Sequence, residues 1–189
     1  MGQVLVDWQI EKEIVQGNIK VSPFDSKLIN PNSLDVRLGG KFGIVLAYGD
    51  DFGKPNPKSI GKYVNPLDST SFKTVYMEED TYLLRPGEFI LAHLLEDITL
   101  PDNICGKIMG KSSLGRLGLS NSHVAGWVDA GWSGVLTLEL FNQSSNKILL
   151  SKGMKIGQMV FYLTERAARP YNQTGRYSNQ VPATGSLGV

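Results

Sequence analysis

Val135-Leu136-Thr137-Leu138-Glu139-Leu140-Phe141 alternates along its whole length, the period of a β-strand whose successive side chains point to opposite faces. Leu136, Leu138 and Leu140 share one face; Val135, Thr137, Glu139 and Phe141 share the other. If the leucines face a core, Glu139 lies among apolar neighbours on the far side. A carboxylate partly desolvated there is fit to exchange protons as a general acid or base, whereas on an open sheet face it is an ordinary surface charge. This strand alone leaves both readings open.

Outward from it, the chain repeats one theme: short apolar runs broken by turn signals. Strands are expected at 33–38, 42–48, 72–77, 81–84, 89–95, 104–109, 147–150 and 155–163. Gly39-Gly40, Arg85-Pro86-Gly87-Glu88, Pro101-Asp102-Asn103 and Lys152-Gly153 mark turns between them. Strands at such spacing predict an all-β barrel or jelly roll. The exception is Asp7 to Gln16, which reads as a helix: Asp7 as the cap, Ile10 and Ile14 four apart, Gly17 closing the end. Within the run Ser33 to Leu38, Asp35 and Arg37 share one face of a half-buried strand, solvated or ion-paired. Residues 49–57 form a Gly/Pro/Asp loop, and the polar tail from Arg166 to Val189 is expected to act as a lid or a frayed end that contributes little core.

The 189 residues fit one domain, with 41% hydrophobic residues, 20% charged and a formal net charge of +1. That balance gives no bulk attraction to nucleic acid or to an acidic membrane, so any polyanion must be met locally. The single cysteine, Cys105, has no internal disulfide partner, and no apolar run reaches the roughly 18 residues of a membrane span. A cytoplasmic protein is expected.

Local phosphate chemistry is concentrated in Gly110-Lys111-Ser112-Ser113-Leu114-Gly115-Arg116, with two cations, two hydroxyls and two glycines in seven residues. It is not a P-loop: three residues separate Gly106 from Gly110 where that motif needs four. Ala125-Gly126-Trp127-Val128-Asp129-Ala130-Gly131-Trp132-Ser133-Gly134 then sets glycines and aromatics around one carboxylate. A zinc deaminase site would need His-x-Glu and Pro-Cys-x-x-Cys elements, and neither His93 nor His123 has such neighbours. His93 reads as a hydrogen-bonded core residue, His123 as a candidate pocket residue.

In order and spacing these segments resemble the dCTP deaminase branch of the dUTPase superfamily over nearly the whole chain. The matching pieces are residues 31–39, Arg85 to Phe89, Leu100 to Asn103, Gly110 to Arg116, Ala125 to Gly134, Thr137-Leu138-Glu139 and Gly153 to Gln158. The resemblance implies a mainly β fold, a distorted jelly roll of the dUTPase type with one N-terminal helix and a C-terminal lid at 166–189. It also implies a homotrimer with active sites between subunits. Glu139 would activate water for attack at C4 of cytosine without zinc, with Ser112 and Arg116 holding water, base and Glu in register. Lys111, Ser112, Ser113, Leu114, Gly115 and Arg116 would form the phosphate loop, and Mg²⁺ would ride on the triphosphate. Asp129 would contact the 3′-hydroxyl and orient the water that hydrolyses dUTP. Ala125, Trp127, Thr137, Leu138 and Gln158 would complete the nucleotide site, closed by Tyr171, Arg176 and Gln180 from the tail; dTTP is a candidate inhibitor.

Two departures matter. Arg176 stands where the family usually has Lys, keeping the charge but not the compact ammonium. Ala125-Gly126-Trp127 resembles the bifunctional members that continue to dUMP, where enzymes releasing dUTP have Ala-His-Arg. The expected activity is dCTP deamination followed by dUTP hydrolysis to dUMP and pyrophosphate. The alternatives are a deaminase that stops at dUTP, a dUTPase alone, and a non-catalytic nucleotide-binding regulatory trimer.

Overall fold

The computed structural model describes residues 3–47, 64, 66–67, 72–121 and 126–187. In chain order its elements are β1 (Gln3–Val4), α1 (Asp7–Val15), β2 (Lys20–Ser22), a 3-10 turn (Ser26–Leu28), β3 (Ile29–Asn30), β4 (Ser33–Arg37), β5 (Lys41–Ala47), β6 (Phe72–Glu78), β7 (Thr81–Leu84), β8 (Phe89–Thr99) and β9 (Ile104–Gly110). There follow α2 (Ser112–Gly115), β10 (Leu119–Asn121), β11 (Trp127–Val128), β12 (Ser133–Asn142), β13 (Ile148–Ser151), β14 (Lys155–Leu163) and α3 (Tyr171–Thr174). The mainly β fold expected from the alternation is observed.

Two antiparallel six-stranded sheets carry the fold. One runs β11-β9-β14-β4-β3 with β1 added to β14; the other runs β10-β12-β8-β5-β6 with β2 added to β8. Their inner faces share one apolar core, with Leu34, Val36, Ile104, Ile108, Met159 and Phe161 from the first sheet and Phe42, Ile90, Leu94, Ile98, Leu138 and Leu140 from the second. The alternation of β12 sends Leu138 and Leu140 inward, fully buried, and leaves Thr137 and Glu139 on the other side.

Several expectations need correction. Asp7 is not the helix cap: Val6 holds that position, its N–H donating to Gln9 Oε1 at 3.0 Å, while Asp7 Oδ1 accepts from the Trp8 N–H. The strand β4 is buried on both faces, because β14 and β3 flank it and the core and a polar cluster cover its two sides. Asp35 and Arg37 take separate partners: Arg37 Nε lies 2.7 Å from Glu96, and Asp35 pairs with lysines. The tail also contributes to the core, with Ala183 fully buried and Tyr171 and Tyr177 packed against it. The 49–57 loop, Ala125 and His123 lie outside the described residues.

His93 is the hydrogen-bonded core residue anticipated. Its Nε2 accepts the Lys41 N–H at 3.1 Å and its Nδ1 lies 2.6 Å from the Leu94 carbonyl, so Nδ1 carries the proton of the neutral ring.

Candidate active site

A cavity of about 480 Å³ opens on the outward face of β12. Its wall joins Thr137 and Glu139 of β12, Phe89 and Leu91 of β8, Trp127 and Asp129 at β11, and Tyr171, Tyr177 and Gln180 of the tail. Leu136 lines it too, against the simple alternation. The pairing of β12 with β8 shifts register between Val135 and Thr137, and such a bulge puts two consecutive side chains on nearly the same side. Glu139 is half-buried between this apolar wall and the tail.

The tail is tied down by backbone. The Asn179 N–H donates to the Ser133 carbonyl at 2.9 Å, and the Val135 N–H to the Gln180 carbonyl at 3.0 Å, making a parallel bridge at Gly134. Gly134 permits this with φ 128, since a Cβ there would sit 2.7 Å from the Gln180 nitrogen. The Gln180 amide then donates to Thr137 Oγ1, and Thr137 Oγ1 donates to the Thr184 carbonyl at 3.4 Å. The Tyr171 ring lies 5.3 Å from Trp132, which is buried with its indole N–H on the Gly134 carbonyl.

Asp129 is exposed at the cavity wall, its Oδ1 accepting the Trp127 indole N–H at 3.0 Å. A smaller cavity of about 350 Å³ lies on the other side of this pair and is lined by Cys105, Arg169 and Thr174 as well as Trp127, Asp129 and Tyr171. Burial pushes the Cys105 thiol up, with Asp129 adding to the effect.

The loop expected to hold phosphate is elsewhere. Lys111 follows β9 at the start of α2, its Nζ 2.6 Å from Asp35 Oδ1, and Lys155 Nζ stands 2.9 Å from Asp35 Oδ2. Gln158 faces Asp35 and Met109 across the sheet and accepts from the Ser33 hydroxyl at 3.1 Å. From this platform α2 presents Ser112, Ser113, Gly115 and Arg116 as exposed residues, while Leu114 turns toward the core. Within one chain, then, the structure gathers Glu139, Asp129, Trp127, Thr137, Tyr171 and Gln180 around one cavity. Lys111 and Gln158 lie at the other sheet, Ser112 and Arg116 lie on the α2 turn that links β9 to β10, away from this cavity, Arg176 is exposed on the tail, and the Leu138 side chain is in the core.

Sequence reading did not single out Phe89, Leu91, Trp132, Leu136, Tyr177 or Thr184 as cavity residues. Trp132 was within the quoted Ala125 to Gly134 segment, but only the tail's docking shows that its ring backs Tyr171.

Residues 4–164 match the family described as dCTP deaminase-like. A protein of Methanoculleus marisnigri named dCTP deaminase, dUMP-forming, is 45% identical over 185 residues, covering 96% of this chain and 92% of its own length. One of the same name from Streptomyces coelicolor is 40% identical over 188 residues, 97% of this chain and 94% of its own. The crystal structure of 2′-deoxycytidine 5′-triphosphate deaminase from Agrobacterium tumefaciens superposes with a TM-score of 0.61 at 22% identity, over 86% of this chain and 48% of that one, and shares the fold.

Proposed function

The chain belongs to the dCTP deaminase-like family, and from that premise we propose that it is a dUMP-forming dCTP deaminase. It replaces the 4-amino group of dCTP by oxygen, releasing ammonia, and then hydrolyses dUTP to dUMP and pyrophosphate. The observation that carries this reading is the placement of Glu139 and Asp129 on the wall of one cavity, in a chain 45% identical to a dUMP-forming relative over nearly all its length.

In the first step the Glu139 carboxylate takes a proton from water as the water oxygen attacks C4. The same carboxyl passes that proton to N3, then takes the hydroxyl proton of the tetrahedral adduct and gives it to the amino nitrogen, so that the C4–N bond breaks, ammonia leaves and the C4 carbonyl forms. The half-buried setting among Phe89, Leu91 and Leu136 limits competing water at this carboxyl. Asp129 holds the sugar and orients the second water toward the phosphate chain.

The triphosphate needs positive charge that this cavity lacks: among its described lining residues there are two carboxylates and no lysine or arginine. Lys111, Ser112, Ser113 and Arg116 stand on the separate platform with Gln158. A second copy in a trimer would present that platform to the Glu139 cavity, placing Ser112 and Arg116 beside the base and the phosphates. Magnesium fits the same deficit, since an ion held by phosphate oxygens neutralises charge next to an acidic wall. dTTP has the same sugar and phosphates but no amino group to lose, and would compete for this site.

Purified protein incubated with dCTP and Mg²⁺, with ammonia, dUTP, dUMP and pyrophosphate followed by chromatography, tests the reading. Equal ammonia and pyrophosphate with little free dUTP is expected. Accumulating dUTP would leave deamination alone, and no ammonia would overturn the assignment.

A further inference from the structure

We infer that Trp127 is a positioning residue for Asp129, acting through its indole N–H, and that the second hydrolysis depends on this contact more than the deamination does. The inference rests on the reading of Asp129 given above. Residues 127 and 129 lie two apart in extended chain, so their side chains emerge on the same side of the segment. There the indole Nε1–H donates to Asp129 Oδ1 at 3.0 Å. No other hydrogen bond reaches the Asp129 side chain among the described residues.

The donor is itself held. β11 pairs with β9 in the register Trp127 to Lys107 and Val128 to Gly106, which fixes the backbone on the edge of the first sheet. The indole ring lies 5.8 Å from Tyr162 of β14, a strand central to that sheet. A hydrogen bond to a carboxylate from an anchored donor fixes the rotation of the carboxyl group and occupies one oxygen, leaving the other to accept from a ligand or a water. Trp127 is 55% exposed, so its ring fills no core volume whose loss would unfold the chain. Glu139 takes no part in this contact: it projects from β12 of the second sheet, and its neighbours are the β8 wall and the tail. A fault at Trp127 should therefore separate the two reactions.

The test uses the full chain and a double-substitution cycle of Trp127→Phe and Asp129→Asn, with ammonia, dUTP and pyrophosphate measured from dCTP and from dUTP. Phe keeps the ring against Tyr162 and removes only the N–H. Trp127→Phe is expected to lower kcat for dUTP hydrolysis about tenfold, the effect of losing the orienting partner of a working group. Ammonia release should fall several-fold less than dUTP hydrolysis, so that dUTP accumulates. In the Asp129→Asn background the Trp127 substitution should add nothing to the loss of dUTP hydrolysis, because the carboxylate that the contact positions has already gone.

Independent, multiplying losses from the two substitutions would overturn the inference, as would equal slowing of both reactions or a change in KM alone, which would mark Trp127 as a wall residue. If the unsubstituted protein deaminates dCTP but leaves dUTP intact, the assignment of the second reaction fails and the inference falls with it, a result distinct from those of the cycle.

Discussion

Lys111 Nζ lies 2.6 Å from Asp35 Oδ1, and this contact fastens the Gly110 to Arg116 loop to β4, an interior strand of the first sheet. Asp35 is 2% exposed, and Lys155 and Asn30 complete its shell at 2.9 Å each. The loop that presents Ser112 and Arg116 thus takes its position from a carboxylate 76 residues earlier in the chain.

Replacing Asp35 by Asn should destabilise the protein by about 2 kcal/mol, since both lysines reach solvent and the loss resembles a charged hydrogen bond more than a sealed ion pair. Thermal unfolding should shift down by roughly 4–8 °C for a domain of this size. An unchanged Tm would show that the buried carboxylate contributes nothing net.

Acid should lower the protein's stability over two separate pH ranges. Burial pushes the His93 imidazole below its usual value, so the folded state keeps it neutral while the unfolded chain protonates near about pH 6.5. Its contribution is intact above that pH and declines as the pH falls through it. For Asp35, burial pushes the carboxyl up, but hydrogen bonds from Lys111, Lys155 and Asn30 outweigh burial and hold it below the usual carboxylate range. That contribution is full above the unfolded value of about 4 and is lost as the pH drops through the lower folded value. Urea midpoints measured from pH 7 to 3 should show both declines, and His93→Asn should flatten the upper one.

Gly39 is required by contact. A Cβ there would lie 1.9 Å from His93 Cε1, and the ring cannot move aside because both its nitrogens are engaged. Gly39→Ala should cost about 3 kcal/mol, read from denaturant unfolding; a wild-type midpoint would mean the ring repacks freely.

Gly134→Ala should detach the tail with less effect on the core, because the new Cβ would meet the Gln180 backbone at 2.7 Å. Limited proteolysis should cut the variant beyond residue 170 faster than the parent, with turnover falling in step. Equal resistance in both proteins would argue against the bridge.

Glu139→Gln should abolish ammonia release while nucleotide binding, followed by calorimetry with dCTP, stays within about threefold. The amide keeps the shape of the side chain but cannot accept the water's proton. Residual deamination at the parent rate would remove the general-base role.

The strands were legible because their signals are local. Alternation in β12 and turn residues at Gly39-Gly40 and Lys152-Gly153 act over a few residues, and β14 spans Lys155–Leu163 as the apolar run indicated. Asp7 misled because a polar residue beside a helix start can sit just inside the helix while Gln9 serves the free N–H. Leu136 misled because a bulge arises from pairing with β8 and leaves no mark on β12 itself.

By itself the sequence determined the β class, the inward face of Leu138 and Leu140, the candidate chemistry of Glu139 and Asp129, and the family to which these belong. Only the tertiary structure decided which of them meet. It put Glu139 beside the tail and Asp129 under the Trp127 indole, held Lys111 on Asp35, and left the Ser112 to Arg116 face outside the cavity's lining, on the turn that links the two sheets. Hydrophobic periodicity fixes which way a side chain points, a property of neighbours in the chain. Assembly of a site depends on pairing and packing between segments tens of residues apart, and no local pattern encodes those contacts.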